Sequence, residues 1–289
     1  MSREIHPLHR SGAEPDLTLS DRDLQRIARI VYQRSGITLG IAKRPLIVAR
    51  LQKRLRAGGF ASFASYVRHV ESDRTGEEVT ALLDAIATNH TSFFREPAHF
   101  EFLARRVVPE WRARRTTGLL RGWSAPCATG EEAYSAAITL LEATPAADHS
   151  RLSIDAIDIS TKAIRTARRA VYPLERVKNV PRRLLTKYFE RGLGEQSGLA
   201  RVAQPVRDLV AIREENLLEI DVTGPAYDFI FCRNVLIYFD RAVQQRVISR
   251  LERRLAPGGY LFIAHSESLS GVTHGLEWVA PAIYRRGRS

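Results

Sequence analysis

Apolar positions in the first third of the chain recur every three to four residues, and in the remainder they alternate between short continuous runs and that same helical spacing. The pattern starts sharply at LSDRDLQRIARIVYQRSGI, where Ser20 with Asp23 makes a capping signature, Leu24, Ile27, Ala28 and Val31 form a stripe, and Gly36 closes it. The next segment, KRPLIVARLQKRLRAGGF, gathers Ile47, Val48, Leu51 and Leu55 on one side of a helix and Lys43, Arg50, Lys53 and Arg54 on another. Its plain reading is a solvated basic face. Two more helical patterns follow, FASFASYVRHVES and EEVTALLDAIATN, so residues 17–88 read as an all-helical domain behind a loose arm at 1–16.

Beyond residue 115 the period changes. LLRGWSA reads as a buried strand, PCATG as a loop, EEAYSAAITLLEA as a helix, SIDAIDI as a strand and STKAIRTARRAVY as a helix. Residues 186–214 break the alternation: RGLGEQSG, flanked by KYF and LARVA and followed by LVAIRE, predicts a small antiparallel excursion. Alternation returns with the strand YDFIFCRNVLIYF, the helix RAVQQRVISRLERRLA, the turn PGG at 257–259 and the strand YLFIAHSE. Strands alternating with helices predict a doubly wound α/β sheet covered on both faces, here spanning residues 89–289.

Such sheets bind ligands beyond the carboxyl ends of their strands. The polar interruptions fall there: Ser124 to Gly130 after the first strand, Asp158 after the second and Cys232 to Asn234 after a later one. Asn234 ends its apolar run where the strand leaves the core. The first loop, SAPCATGEEAY, has one glycine and two acids, Glu131 and Glu132, where a dinucleotide fold would have GxGxxG. Those acids would repel a pyrophosphate and tolerate a cationic ligand such as S-adenosylmethionine. Asp158 is placed to hold ribose hydroxyls, its alternative being an ordinary helix cap.

Composition narrows the class. With 289 residues and 44% hydrophobic content the chain is globular, and no apolar stretch approaches the ~20 residues that span a bilayer. No segment of signal-peptide type opens it, so the expected location is cytoplasmic, without membrane insertion. The two cysteines, Cys127 and Cys232, lack metal-ligand spacing, so no metal is expected. A formal charge of +12 points to an acidic partner: nucleic acid, an anionic surface or an acidic protein.

Five motifs, TNHTSFFREP, RGWSAPCATGEEAYS, AIDIS, ENLLE and FCRNVLIYFD, stand in the order and near the spacing of the chemotaxis receptor methyltransferases, and the chain resembles that CheR family from about Leu17 to Tyr284. The resemblance implies a Rossmann-like S-adenosylmethionine methyltransferase sheet with an inserted antiparallel subdomain, preceded by an all-α domain that recognises receptors. It implies methylation of glutamate side chains on the cytoplasmic helical bundle of chemoreceptors, with S-adenosylhomocysteine as product. Carried over by motif, Asn89, Thr91, Arg95, Glu132, Asp158, Asn216, Leu217, Asn234 and Val235 contact the cofactor, with Tyr238 beside the methyl group. Ala133 stands where the family often has proline, and His90 fills a variable position.

A glutamate carboxylate, with a reference pKa of about 4.3, needs no general base, which agrees with the lack of a His-acid pair in these motifs. Arg95 either aligns the substrate carboxylate through one weak contact or touches the cofactor; Tyr238 either donates one hydrogen bond to that carboxylate or lines the methyl pocket. The basic residues Lys43, Arg50, Lys53 and Arg54 would then face the receptor's acidic region, and the loop with Gly192 and Gly194 would hold a receptor C-terminal peptide by strand addition. Two rival readings are a nucleic-acid methyltransferase, whose proline-rich Asn/Asp motif is missing, and a non-catalytic receptor-binding adaptor.

Overall fold

A computed structural model describes residues 18–114 and 118–288 of the chain. The arm expected at 1–16 lies outside the described residues. The chain divides into two compact units, one holding residues up to Ile30 together with Leu39–Ile86, the other Val31–Thr38 together with the chain from Ala87 onward.

The smaller unit is helical. Its helices are Asp21–Ser35, whose last turn counts with the larger unit, then Arg44–Ala57, Phe63–Ser72 and Glu77–Ile86. The first is capped as the sequence predicts: the amide of Asp23 donates to Ser20 Oγ at 3.1 Å, and that hydroxyl donates to Asp23 Oδ2 at 2.7 Å. Ile47, Leu51 and Leu55 turn inward from the second helix, whereas Val48 is only half-buried.

In the larger unit the strands are β1 (Leu120–Ser124), β2 (Leu152–Asp158), β3 (Val171–Pro173), β4 (Phe189–Arg191), β5 (Leu199–Val202), β6 (Val210–Glu214), β7 (Tyr227–Phe231), β8 (Leu255–Phe262), β9 (Leu276–Ala280) and β10 (Ile283–Arg286). Seven of them form one sheet in the order β6-β2-β1-β7-β8-β10-β9. The first five run parallel; β10 pairs antiparallel with β8, and β9 pairs antiparallel with β10 at the edge. Both faces are covered by apolar side chains, one by a cluster that includes Ala136, Ala137 and Leu140 of the helix Glu131–Ala143, the other by Val243, Val247 and Leu251 of the helix Arg241–Arg254. All five residues of β7 are buried, its Asp228 satisfied by Arg114 at 2.8 Å and the Arg121 amide at 3.0 Å. The chain leaves β1 towards β2 on one side and returns to β7 on the other, so β1 and β7 bound the switch point where such sheets bind ligands.

Three expectations are corrected. The small antiparallel sheet, β3-β5-β4, has the expected hairpin β4–β5 inside 186–214, but it also takes β3 from Val171–Pro173 and excludes β6, which pairs parallel with β2 at the edge of the large sheet. The turn expected at 257–259 lies inside β8, where Gly258 takes φ +77° and the pairing with β7 shifts register. The segment Val31–Thr38, expected in the helical domain, groups with the sheet unit, its Ile37 bridged to Phe239 and the Thr38 amide donating to the Tyr238 carbonyl at 2.9 Å.

Candidate active site

The loop after β1 carries a cis Ala125–Pro126 peptide and two left-handed residues, Ala128 at φ +48° and Gly130 at φ +97°. Only glycine suits the last of these, since a Cβ there would sit 3.0 Å from both Ala167 Cβ and Tyr172 Oη. The helix begins at once with the two acids, and their side chains diverge. Glu131 is fully buried and pairs with Arg176 and with Thr129 Oγ1, at 2.6 Å for the hydroxyl. Glu132 turns to the cleft, accepting from Ser124 Oγ at 2.7 Å and from Arg233 Nη1 at 3.0 Å. The acidic loop is therefore less of a barrier to anions than its sequence suggests: one carboxylate points away and the other is neutralised.

Asp158 ends β2 and accepts the Ala128 amide on Oδ2 and the Ser160 amide on Oδ1, both at 2.8 Å. Its neighbour Ser160, not Asp158, caps the next helix, with Oγ accepting from the Ala163 amide at 3.1 Å and from Asn89 Nδ2 at 3.1 Å. Beyond β7, Asn234 adopts φ +59°, and the amides of Asn234, Val235 and Leu236 all donate to the Glu267 carboxylate, at 3.0, 2.8 and 2.8 Å.

These loops line one cleft at the carboxyl ends of the strands. Asn89, Thr91, Arg95, Glu132, Asp158, Asn216, Leu217, Asn234, Val235 and Tyr238 all line it, so the fold brings together every cofactor and catalytic candidate named from the sequence. Asn216 lines it with a committed side chain, whose Nδ2 donates to the Arg34 carbonyl at 2.8 Å and whose Oδ1 accepts the Leu218 amide at 3.0 Å. Arg95 is half-buried and donates to the His90 carbonyl at 3.2 Å. Phe93 packs in the core against Tyr172 and Phe189, and Phe94 against Phe100.

The receptor-face candidates belong to the helical unit. There Arg54 Nε donates to Glu78 Oε1 at 2.7 Å and Arg50 donates to the Ile86 carbonyl, so these two guanidinium groups serve the unit itself. Lys43 is half-buried, while Lys53 and Arg56 are exposed. Gly192 and Gly194 lie in the loop between β4 and β5, where Gly194 takes φ +56° and Leu193 is 84% exposed.

Arg233 was missed by sequence reasoning although it stands inside the quoted polar interruption. It is 4% exposed, and beside its bond to Glu132 it donates to the Arg95 carbonyl at 2.6 Å and pairs with Glu96 at 3.0 Å. Burial would raise the Glu96 carboxyl, but Arg233 and His265 outweigh it and hold it below the usual range. His99, stacked on His265, is pushed down to about 4 by burial and by Arg233. Glu96, His99 and His265 bring three ligand-type atoms within 4.8 Å, yet a cation there would meet the Arg233 guanidinium on the same Glu96 oxygen. Both thiols are buried, and burial raises them well above their ordinary value, so neither Cys127 nor Cys232 is a nucleophile.

The donor set suits S-adenosylmethionine: a strand-end carboxylate for hydroxyls, apolar Ile157, Leu217 and Val235 for a base, and no glycine-rich phosphate cradle. Among the described residues, no helix is long and apolar enough to cross a membrane.

Comparison with known proteins agrees with this assignment. Residues 89–283 match the family model described as CheR methyltransferase, SAM binding domain, and residues 22–87 match CheR methyltransferase, all-alpha domain. A chemotaxis protein methyltransferase of Salmonella typhimurium is 41% identical over 270 residues, covering 93% of this chain and 91% of the relative. That of Escherichia coli is 42% identical over 255 residues, covering 88% and 87%. Chemotaxis protein methyltransferase 2 of Pseudomonas aeruginosa is 41% identical over 264 residues, covering 91% and 92%.

Proposed function

Because this chain belongs to the CheR methyltransferase family and is an S-adenosylmethionine-dependent methyltransferase of chemotaxis, we propose that its acceptor is a glutamate side chain on the cytoplasmic helical bundle of a chemoreceptor, and that it works in the cytoplasm. The observation that carries this reading is the convergence of Arg95 and Tyr238 on the same cleft as Asp158 and Asn234, with no His-acid pair among its lining residues.

Asp158 would hold the ribose hydroxyls, Leu217 and Val235 the base, and Glu132, Asn89, Thr91, Asn216 and Asn234 the remaining polar groups. When bound, S-adenosylmethionine supplies a methyl group on a sulfonium, open to displacement by an anionic oxygen. A glutamate is ionised at neutral pH, so no residue of the cleft has to take its proton. Arg95 steers that carboxylate through a single contact, since a bidentate grip would stabilise the ground state as much as the transition state. Tyr238 closes the methyl end of the cleft, and the apolar walls exclude water, which favours a reaction in which charge is neutralised.

The exposed Lys53 and Arg56 support contact with an acidic receptor surface, and the exposed loop at Gly192–Gly194 supports capture of a receptor C-terminal peptide on the small sheet. Transfer of labelled methyl groups to a purified chemoreceptor cytoplasmic fragment tests the main reading, with total RNA as the parallel substrate. Base-labile label on the receptor that is lost in Arg95→Ala is the expected result; label on RNA would overturn it. For the tail, deletion of Gly192–Gly194 should weaken binding of the receptor peptide, and unchanged affinity would remove the loop from that role.

A further inference from the structure

Between β7 and the helix Arg241–Arg254 the chain forms only a 3-10 turn at Leu236–Tyr238 and a bridge from Phe239 to Ile37, yet it carries Asn234, Val235 and Tyr238 into the cleft. Its far end is tied by Thr38 and Gln244 to the carbonyls of Leu236, Tyr238 and Phe239, and its first turn is held by one side chain from the loop after β8. Glu267 Oε1 accepts the amides of Val235 and Leu236, both at 2.8 Å, and Oε2 accepts those of Asn234 at 3.0 Å and Ala264 at 2.8 Å. Four amide donors on one carboxylate use its full acceptor capacity, and bonds to an ionised acceptor are the strong kind. Three successive amides can converge on one carboxylate only if the chain turns sharply, and here Asn234 takes the left-handed conformation, φ +59°, that produces the turn.

We propose that Glu267 is a positioning residue for methyl transfer: its carboxylate fixes the Asn234–Tyr238 segment in the conformation that receives S-adenosylmethionine. The carboxylate does not itself line the cleft, so it acts through the backbone it holds. Glutamine cannot replace it. An amide offers one oxygen, able to take two of the four donors, and its NH₂ group would face the other two. The segment would then sample other conformations, and only the fraction in the competent one would bind, which lowers apparent affinity by that fraction.

This inference rests on the reading that Asn234 and Val235 face the cofactor, and the test separates the two. Titration of S-adenosylhomocysteine by calorimetry is compared for the intact protein, Glu267→Gln and Asn234→Ala, together with kcat and KM for S-adenosylmethionine. For Glu267→Gln we expect Kd and KM to rise roughly tenfold or more, with kcat at saturation largely retained. A purely structural role would instead lower the active fraction, and so kcat, at unchanged KM. Weakened binding in both variants supports the proposal and the Asn234 reading. Weakening in Glu267→Gln alone supports the proposal and removes the Asn234 side chain from the contact. Unchanged binding in a folded Glu267→Gln overturns the proposal whatever Asn234→Ala does. Should that variant fail to fold, hydrogen exchange on the intact chain decides: the amides of Asn234, Val235 and Leu236 should be protected before any cofactor is added, and exchange at the rate of an open loop would overturn the clamp.

Discussion

Arg233 joins three parts of the cleft through one guanidinium, bonding Glu132 of the first helix after β1, Glu96 and the Arg95 carbonyl. Removing it leaves two carboxylates without their partner in a buried setting, so Arg233→Ala should destabilise the protein by roughly 3–5 kcal/mol in denaturant unfolding. Lysine, a point charge without the fork, should recover only part of that loss. His99 makes a second prediction. Its folded value of about 4 lies below the ordinary 6.5, so the unfolded chain binds a proton first as pH falls. The stability that His99 contributes is therefore complete above about pH 6.5 and is lost progressively down to about 4, by up to about 3 kcal/mol. Thermal melts across this window should show the decline, and His99→Phe should flatten it. Neither residue could be assigned from sequence: Asn234 was legible because its strand ends there, but the partners of Arg233 lie 101 and 138 positions away.

Strand β1 shows how an element depends on its neighbour. Gly122 faces Phe229 of β7 in the parallel ladder, and a Cβ on it would fall 2.1 Å from the ring's Cζ. Gly122→Ala should force the ring or the strand to shift and lower stability by roughly 1–3 kcal/mol, read as a fall in denaturation midpoint. Helices with clear caps and stripes, and the buried runs of β1, β2 and β7, could be read directly because their signals are local. In the 186–214 segment the β4–β5 hairpin could be read too, but the place of β6 could not. An edge strand such as β6, half-exposed and flanked by turns, has the same local pattern whether its partner is the strand before it or a parallel strand some 50 residues earlier. The PGG stretch misled for a related reason, since glycines that suit a turn also suit a bulge inside a strand.

For the molecule as a whole, cofactor binding should register as stability. S-adenosylhomocysteine at a hundred times its Kd should stabilise the sheet unit by about 2.7 kcal/mol, and thermal melting should show the shift in the intact protein and lose it in Asp158→Ala. The formal charge of +12 makes a separate claim. If it serves attraction to an acidic receptor, raising the salt concentration should raise the KM for receptor while leaving the affinity for S-adenosylhomocysteine nearly unchanged.

Local periodicity and strand-end polarity were enough to determine a helical unit followed by a doubly wound sheet, and to locate the cleft at the ends of three named strands, because those signals arise within a few residues. Motif order was enough to indicate the family. Which strand pairs with β2, where the two acids of the first loop point, how Arg233 is satisfied and what holds the Asn234 turn were decided only by the tertiary structure. Each depends on a partner far away in sequence, and the direction of a buried charge is set by the partner that neutralises it.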